Sequence, residues 1–265
     1  GFDDSVKTAG FKHYYGRYEY NNDLDYDGTW GIFDEEFFQF FAGNLNKTKQ
    51  PFISCVFSLS SHLPYVIPDK YEGKFEEGEL KIHKSIRYAD FSLREFFKTA
   101  SAMPWFENTL FVITADHTAD ALSPFYQNMA GMYAIPLIFY KHNSALRGVS
   151  HKTTQQTDIM PSVLDYIGYR DPFIAFGNSV FDTTSKNFVV NFLNGVYQVI
   201  DGDYILQFDG KEYIGLYDFK TDSVMKNDLL ASVPKIEEQM KRKLKAFIQS
   251  YNHRLINNQL TIEKQ

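Results

Sequence analysis

Residues 110–117 read Leu-Phe-Val-Ile-Thr-Ala-Asp-His, an apolar run that stops at a carboxylate followed by an imidazole. Aspartate oxygen and imidazole nitrogen are both good ligands for zinc or manganese, which makes Asp116 and His117 candidate metal ligands. The competing reading is that Asp116 caps the next turn and His117 packs beside it, since Asp at a strand end is ordinary turn chemistry. A third side chain with chemical potential is His62, which lies in Ser60-Ser61-His62-Leu63-Pro64-Tyr65, just after the apolar run 51–59. Its imidazole lies in a loop after a candidate strand, and the bland reading is a ring bonded to a nearby carbonyl.

The elements that must position these residues follow from hydrophobic periodicity. Runs 51–59 and 110–115 are short, apolar and rich in β-branched and aromatic residues, which suits strands buried on both faces of a parallel sheet. Between them, Ile82, Ile86, Ala89, Leu93 and Phe97 recur at spacings of three and four, the pattern of an amphipathic helix. Strand, helix, strand in that order predicts a βαβ unit with parallel strands, placing His62 and Asp116-His117 on the same carboxyl edge. Ligands bind at that edge in open α/β sheets. Residues 135–140 can add a strand, 33–41 a helix, and 157–168 a helix stopped by Gly168.

From Phe188 onward the character changes. Runs 188–193, 195–200, 204–208 and 213–217 read as short strands, with Asp201-Gly202 and Asp209-Gly210 as tight turns. Pro234 then opens a long helix carrying Ile236, Met240, Leu244, Phe247, Ile248 and Tyr251 on one face. The expected division is an α/β catalytic core over 1–187 and a C-terminal subdomain of antiparallel sheet plus long helix over 188–265.

A chain of 265 residues with 44% hydrophobic content is globular, and most of its 25 Phe and 18 Tyr belong in a core. A net charge of −6 argues against a nucleic-acid partner. Residues 234–265 are locally basic, with seven Lys and Arg against three Glu, which fits a solvated helix face better than a membrane-leaning one. The single Cys55, inside an apolar stretch, reads as a buried packing residue. No apolar run reaches the ~18 residues of a membrane span, and a chain that starts Gly1-Phe2-Asp3 reads as a piece of something longer.

Four segments in order resemble the extracellular catalytic domain of lipoteichoic acid synthase-like phosphoglycerol transferases, a branch of the alkaline phosphatase and sulfatase superfamily. They are Trp30-Gly31 with Asp34 and Phe38, the strand-loop 57–65, the strand end 113–117, and the segment 156–164; Ile174-Ala175-Phe176-Gly177 matches the segment that usually closes such domains. The resemblance covers roughly residues 25–182. It implies an alkaline phosphatase-like α/β fold, a mostly parallel sheet flanked by helices.

The same resemblance implies a mechanism and its residues. Asp116 and His117 would hold one divalent ion, manganese first, with magnesium, calcium or zinc as alternatives. His62 would bond the phosphoryl group or the leaving alcohol, and Trp30 with Asp25 or Asp27 would shape a glycerol-phosphate pocket. Two-metal relatives have a His where this chain has Gln156, so a second metal site is not expected, and His151 lies too far along its loop to replace it. The nucleophile, a Thr or Ser, is expected upstream of residue 1. The implied reaction is transfer of a phosphoglycerol-type group from a lipid phosphodiester through a covalent phospho-enzyme. The implied setting is the outer face of a bacterial membrane, reached through N-terminal helices. Alternatives are a sulfatase, a phosphoethanolamine transferase or a phosphodiesterase on the same scaffold, a non-catalytic binding domain, or an unrelated doubly wound domain.

Overall fold

The computed structural model describes residues 2–262, which form two compact units. Among the described residues the first comprises 2–115, 120–122 and 136–147, and the second 116–119, 123–135 and 148–262.

In the first unit, helices α1 (Phe2–Thr8), α2 (Arg17–Tyr20), α3 (Asp34–Leu45) and α4 (Ile82–Ala100) precede a strand pair, β1 (Phe111–Thr114) and β2 (Leu137–Tyr140). The core is aromatic: Phe38, Ala42 and Leu45 of α3 meet Phe96 and Ala100 of α4, with Trp105 and Phe106 beneath. The predicted helix 82–97 is present, three residues longer, but its buried face is turned by about one residue. Ser85, Tyr88, Ser92 and Phe96 are buried, and Ile86 is exposed. Serine suits such a face because its hydroxyl is satisfied within the helix: Ser85 Oγ donates to the Ile82 carbonyl at 2.9 Å and Ser92 Oγ to that of Tyr88 at 2.8 Å.

The expected parallel pairing is corrected here. Residues 52–59 take no regular secondary structure and enter no ladder among the described residues, although Phe52 and Val56 pack on the core. The strand β1 pairs instead with β2, antiparallel, from Phe111↔Tyr140 to Thr114↔Leu137. Parallel pairing needs a crossover, usually a helix. The stretch between β1 and β2 holds only short 3-10 turns, Pro124–Gln127 and Gly131–Tyr133, so the chain returns on itself. The parallel βαβ unit expected to carry His62 and Asp116-His117 is therefore absent among the described residues; His62 lies in the first unit, Asp116 and His117 in the second. Cys55 is exposed, not buried, because it lies on this unladdered segment.

The second unit contains helix α5 (Ile159–Tyr166), strands β3 (Val189–Leu193), β4 (Val196–Asp201), β5 (Tyr204–Phe208) and β6 (Tyr213–Asp218), and helix α6 (Pro234–Ile256). The four strands form an antiparallel meander in sequence order. The first turn is Asn194-Gly195, both at positive φ (51° and 83°), the conformation that matches the twist of a two-residue hairpin. On one face Val199, Leu206 and Leu216 pack against Met240 and Leu244 of α6. Two buried glutamines on neighbouring strands are linked, Gln207 Nε2 donating to Gln198 Oε1 at 2.8 Å. Gln198 in turn donates to the Met129 carbonyl at 3.3 Å and so ties the sheet to the segment 123–135. The antiparallel sheet and long helix expected at the C-terminus are thus present. Among the described residues no helix is long and apolar enough to cross a membrane.

Candidate functional site

Chemistry-bearing residues gather in each unit, and each group is built by a different kind of local structure. In the first unit a tight loop over residues 25–34 grips the loop that carries His62. Asp27 Oδ1 accepts three backbone N–H groups, from Thr29 (2.8 Å), Trp30 (2.7 Å) and Gly31 (3.1 Å). Gly28, at φ +85°, makes the turn that this side chain closes. The fixed backbone presents Trp30, whose Nε1 donates to the Leu63 carbonyl at 2.6 Å and whose ring lies on His62 with centroids 4.2 Å apart. Gly31 next to it leaves room for the Leu59 side chain, whose Cδ1 a Cβ there would meet at 2.7 Å.

Asp34 completes the grip. It is 2% exposed, and its Oδ1 accepts the N–H groups of Leu59 (2.8 Å) and Ser60 (3.1 Å), while Ser60 Oγ accepts the Asp34 N–H at 3.1 Å. Burial pushes the Asp34 carboxyl above the usual carboxylate range, opposed by these hydrogen bonds. Beyond Ser60 the chain turns, with His62 N–H donating to the Leu59 carbonyl at 3.0 Å. His62 Nδ1 lies 3.0 Å from the Leu63 carbonyl. A carbonyl only accepts, so Nδ1 carries the proton and Nε2 of the neutral ring has a lone pair for chemistry. His62 and Trp30 are both exposed at this loop.

Asp25 is engaged locally: its Oδ2 accepts from Tyr20 Oη at 2.5 Å and Asn22 Nδ2 at 2.8 Å. Burial and that bond hold the Tyr20 phenol well above its usual range. Close by, a cavity of about 440 Å³ is lined by Tyr20, Glu35, Glu36, Gln39, Phe40 and Lys70. Its acids are already paired, Lys70 Nζ lying 3.0 Å from Glu35 and 2.5 Å from Glu36. Neither His62 nor Trp30 lines it.

In the second unit Asp116 and His117 stand side by side, both exposed. Asp116 Oδ1 accepts the His117 N–H at 2.8 Å, and Asp116 Oδ2 lies 3.6 Å from His117 Nε2. His117 Nδ1 is 2.6 Å from the Thr118 carbonyl, which places the proton on Nδ1 and leaves the lone pair of the neutral ring on Nε2. Two metal bonds of about 2.0–2.2 Å can span such a separation, so the pair fits two positions of a divalent ion's shell. No group of three His, Cys, Asp or Glu able to hold an ion exists among the described residues. Two such atoms can fill at most two positions of a shell.

The loop that carries this pair is braced twice within its unit. Thr118 N–H donates to the Met132 carbonyl at 2.8 Å, and Gln156 Nε2 donates to the Asp116 carbonyl at 3.2 Å. Gln156 stands in a segment fixed by Asp158, a 1%-exposed side chain. Its carboxylate accepts from Asn178 N (2.8 Å), Gln155 N (3.0 Å) and Asn187 Nδ2 (3.3 Å). A Cβ on Gly177 would overlap Asp158 Oδ1 and the Thr157 carbonyl, which accounts for the glycine ending Ile174-Ala175-Phe176-Gly177. His151 is exposed in its loop.

Sequence reasoning found His62, Trp30, Asp116 and His117 as chemical groups and missed most of what holds them. The Asp27 turn is legible in Asp-Gly-Thr-Trp; the bonds from Asp34 to residues 59–60 bridge 25 and 26 positions and leave no local trace.

Comparison with known proteins agrees with this architecture. A lipoteichoic acid synthase of Staphylococcus aureus (strain USA300) is 23% identical over 276 residues, an alignment that takes in 92% of this chain and 41% of the synthase. Among solved structures, an alkaline phosphatase superfamily protein from Vibrio parahaemolyticus superposes with a TM-score of 0.75 at 21% identity, covering 93% of this chain and 60% of the other. A phosphonate monoester hydrolase of Agrobacterium radiobacter gives 0.62 at 14% identity, covering 93% and 68%. These likenesses show the fold, an alkaline phosphatase-superfamily one, as the motif resemblance implied. The sulfatase family profile matches residues 2–169, a stretch that holds His62, Trp30, Asp116, His117 and every brace described around them except those reaching residues 177–187. By that match the chain belongs to the sulfatase family.

Proposed function

We propose that the protein transfers a phosphoglycerol-type group from a lipid phosphodiester to an acceptor alcohol, through a phospho-enzyme and with one divalent ion, manganese first. The observation that carries this reading is the Asp116-His117 pair, with His117 Nδ1 pinned on a carbonyl and Nε2 turned out 3.6 Å from Asp116 Oδ2. Likeness to a lipoteichoic acid synthase supports the choice of group transferred.

In this reading a Thr or Ser hydroxyl of the longer polypeptide attacks phosphorus. The bond to the lipid alcohol breaks, and the acceptor alcohol later displaces the enzyme oxygen. Asp116 and His117 would hold the ion, which when bound supplies charge neutralisation at phosphorus. His62, with Nε2 available, bonds a phosphoryl oxygen or protonates the leaving alcohol when its ring is charged. Trp30 offers an apolar wall for the glycerol carbons, and Asp27 rather than Asp25 keeps that wall in place. Residues 1–187 would be the catalytic core and 188–265 its supporting subdomain. The chain spans 41% of the synthase it resembles, and the proposal places the whole protein in a bacterial membrane with these residues outside.

The test is turnover of a fluorescent phosphatidylglycerol by the full-length protein with and without Mn²⁺. Release of diacylglycerol that requires the ion and is lost in His117→Ala is expected. Cleavage of sulfate esters with no action on the lipid would assign a sulfatase, and no turnover of either ester would favour a binding domain.

A further inference from the structure

We infer that Asp34 is the positioning residue for His62: it fixes the backbone of residues 59–60, and through it the imidazole. The inference rests on the proposed role of His62 in charge stabilisation. A carboxylate in the first turn of a helix ordinarily accepts that helix's own free N–H groups. Asp34 opens α3, yet its Oδ1 takes the N–H groups of Leu59 and Ser60, and no side chain caps the helix at Phe33. The two N–H groups converge on one carboxylate oxygen from consecutive peptide units, so the Ser60 N–H holds the Leu59–Ser60 plane and the Leu59 N–H holds the Ser58–Leu59 plane before it. The return bond from the Asp34 N–H to Ser60 Oγ locks the same residue from the other side.

From the Leu59–Ser60 plane the path to the imidazole is short. The Leu59 carbonyl accepts the His62 N–H, and the Leu63 carbonyl takes both Trp30 Nε1 and His62 Nδ1. Gly31 lets Leu59 approach, so the residues from Trp30 to Asp34 and from Leu59 to Leu63 close on each other at four points. Meanwhile Asp34 Oδ2 is buried without a hydrogen-bond partner among the described residues. An unpaired buried carboxylate oxygen breaks a local rule, and such breaks concentrate where position matters to function. A misplacement of about 1 Å in a reacting group can cost roughly 100-fold in rate, which sets the scale of the effect.

The test is a double-mutant cycle in the full-length protein with Mn²⁺ and bis(p-nitrophenyl) phosphate as the phosphodiester. His62→Ala is expected to lower kcat about 100-fold. Asp34→Ala is expected to lower kcat about 10- to 100-fold with KM little changed, whereas Asp34→Asn, which keeps the acceptor oxygen, stays within about threefold. Asp34→Ala added to His62→Ala should cause no further loss. A further loss of full size overturns the inference, since Asp34 would then act apart from His62. If His62→Ala alone leaves kcat unchanged, the proposed function of His62 fails first. Should Asp34→Ala not fold, Asp34→Asn decides. Slow hydrogen exchange at the Leu59 and Ser60 amides with kcat retained supports positioning; the same slow exchange with kcat lost would assign the effect to charge and overturn it.

Discussion

Gln156 Nε2 donates to the backbone carbonyl of Asp116 at 3.2 Å, so an amide forty residues along the chain braces the strand end that carries the candidate ligands. Groups that orient ligands without touching the ion typically change metal affinity by 10–100-fold. Gln156→Ala is expected to weaken Mn²⁺ binding to the full-length protein by about 10-fold with little change in Tm, measured by calorimetric titration. Unchanged affinity would reduce this bond to packing.

Gly177→Ala tests the clamp around Asp158. The new methyl would overlap both Asp158 Oδ1 and the Thr157 carbonyl, and backbone cannot move aside as a flexible side chain can. Overpacking of this kind costs about 1–3 kcal/mol. Thermal unfolding should show Tm lowered by several degrees, and a wild-type Tm would refute the clamp.

The linked glutamines permit a prediction of sign. Gln198→Leu leaves the buried Gln207 amide and the Met129 carbonyl without their partner, a loss of about 1–3 kcal/mol. Gln198→Leu/Gln207→Leu removes both ends of the inter-strand bond and should recover part of that loss. Urea denaturation of the wild type and these two variants gives the comparison, and a double variant no more stable than Gln198→Leu would contradict it.

Tyr71 offers a pH readout. Burial, with a hydrogen bond to Glu35, pushes its phenol from 10.0 up to about 12. Because the folded value exceeds the unfolded one, its contribution to stability is fully present below about pH 10 and is lost as pH rises through about 12. In a 295 nm titration, Tyr71→Phe should remove absorbance that develops near pH 12 and leave the change near pH 10 intact.

Legibility followed the range of the interactions. The meander β3–β6 was readable because alternation and Asn-Gly or Asp-Gly turns are local, and α6 because Met240 and Leu244 recur at helical spacing. The face of α4 was misplaced by one residue because apolar spacing alone does not anticipate buried serines that satisfy themselves, as Ser85 and Ser92 do. The run 52–59 has a strand's composition, yet a ladder is a relation between distant segments, and composition cannot supply the partner. Likewise Asp116 and His117 stand out as candidate ligands and His62 as a candidate catalytic group, whereas the bonds from Gln156 and from Asp34 that brace their separate loops come from residues 25 to 40 positions away.

The unladdered stretch 52–59 also matters when the protein is handled. Ile53 is 80% and Phe57 58% exposed, on a backbone that enters no ladder among the described residues, and the Cys55 thiol lies between them in the open. Unladdered backbone with apolar side chains is a template for intermolecular strand addition, and an accessible thiol makes such an encounter oxidisable. Concentrated preparations of these 265 residues should therefore self-associate and turn covalently dimeric in air. Reductant, or Cys55→Ser, would remove the covalent species while leaving the reversible one.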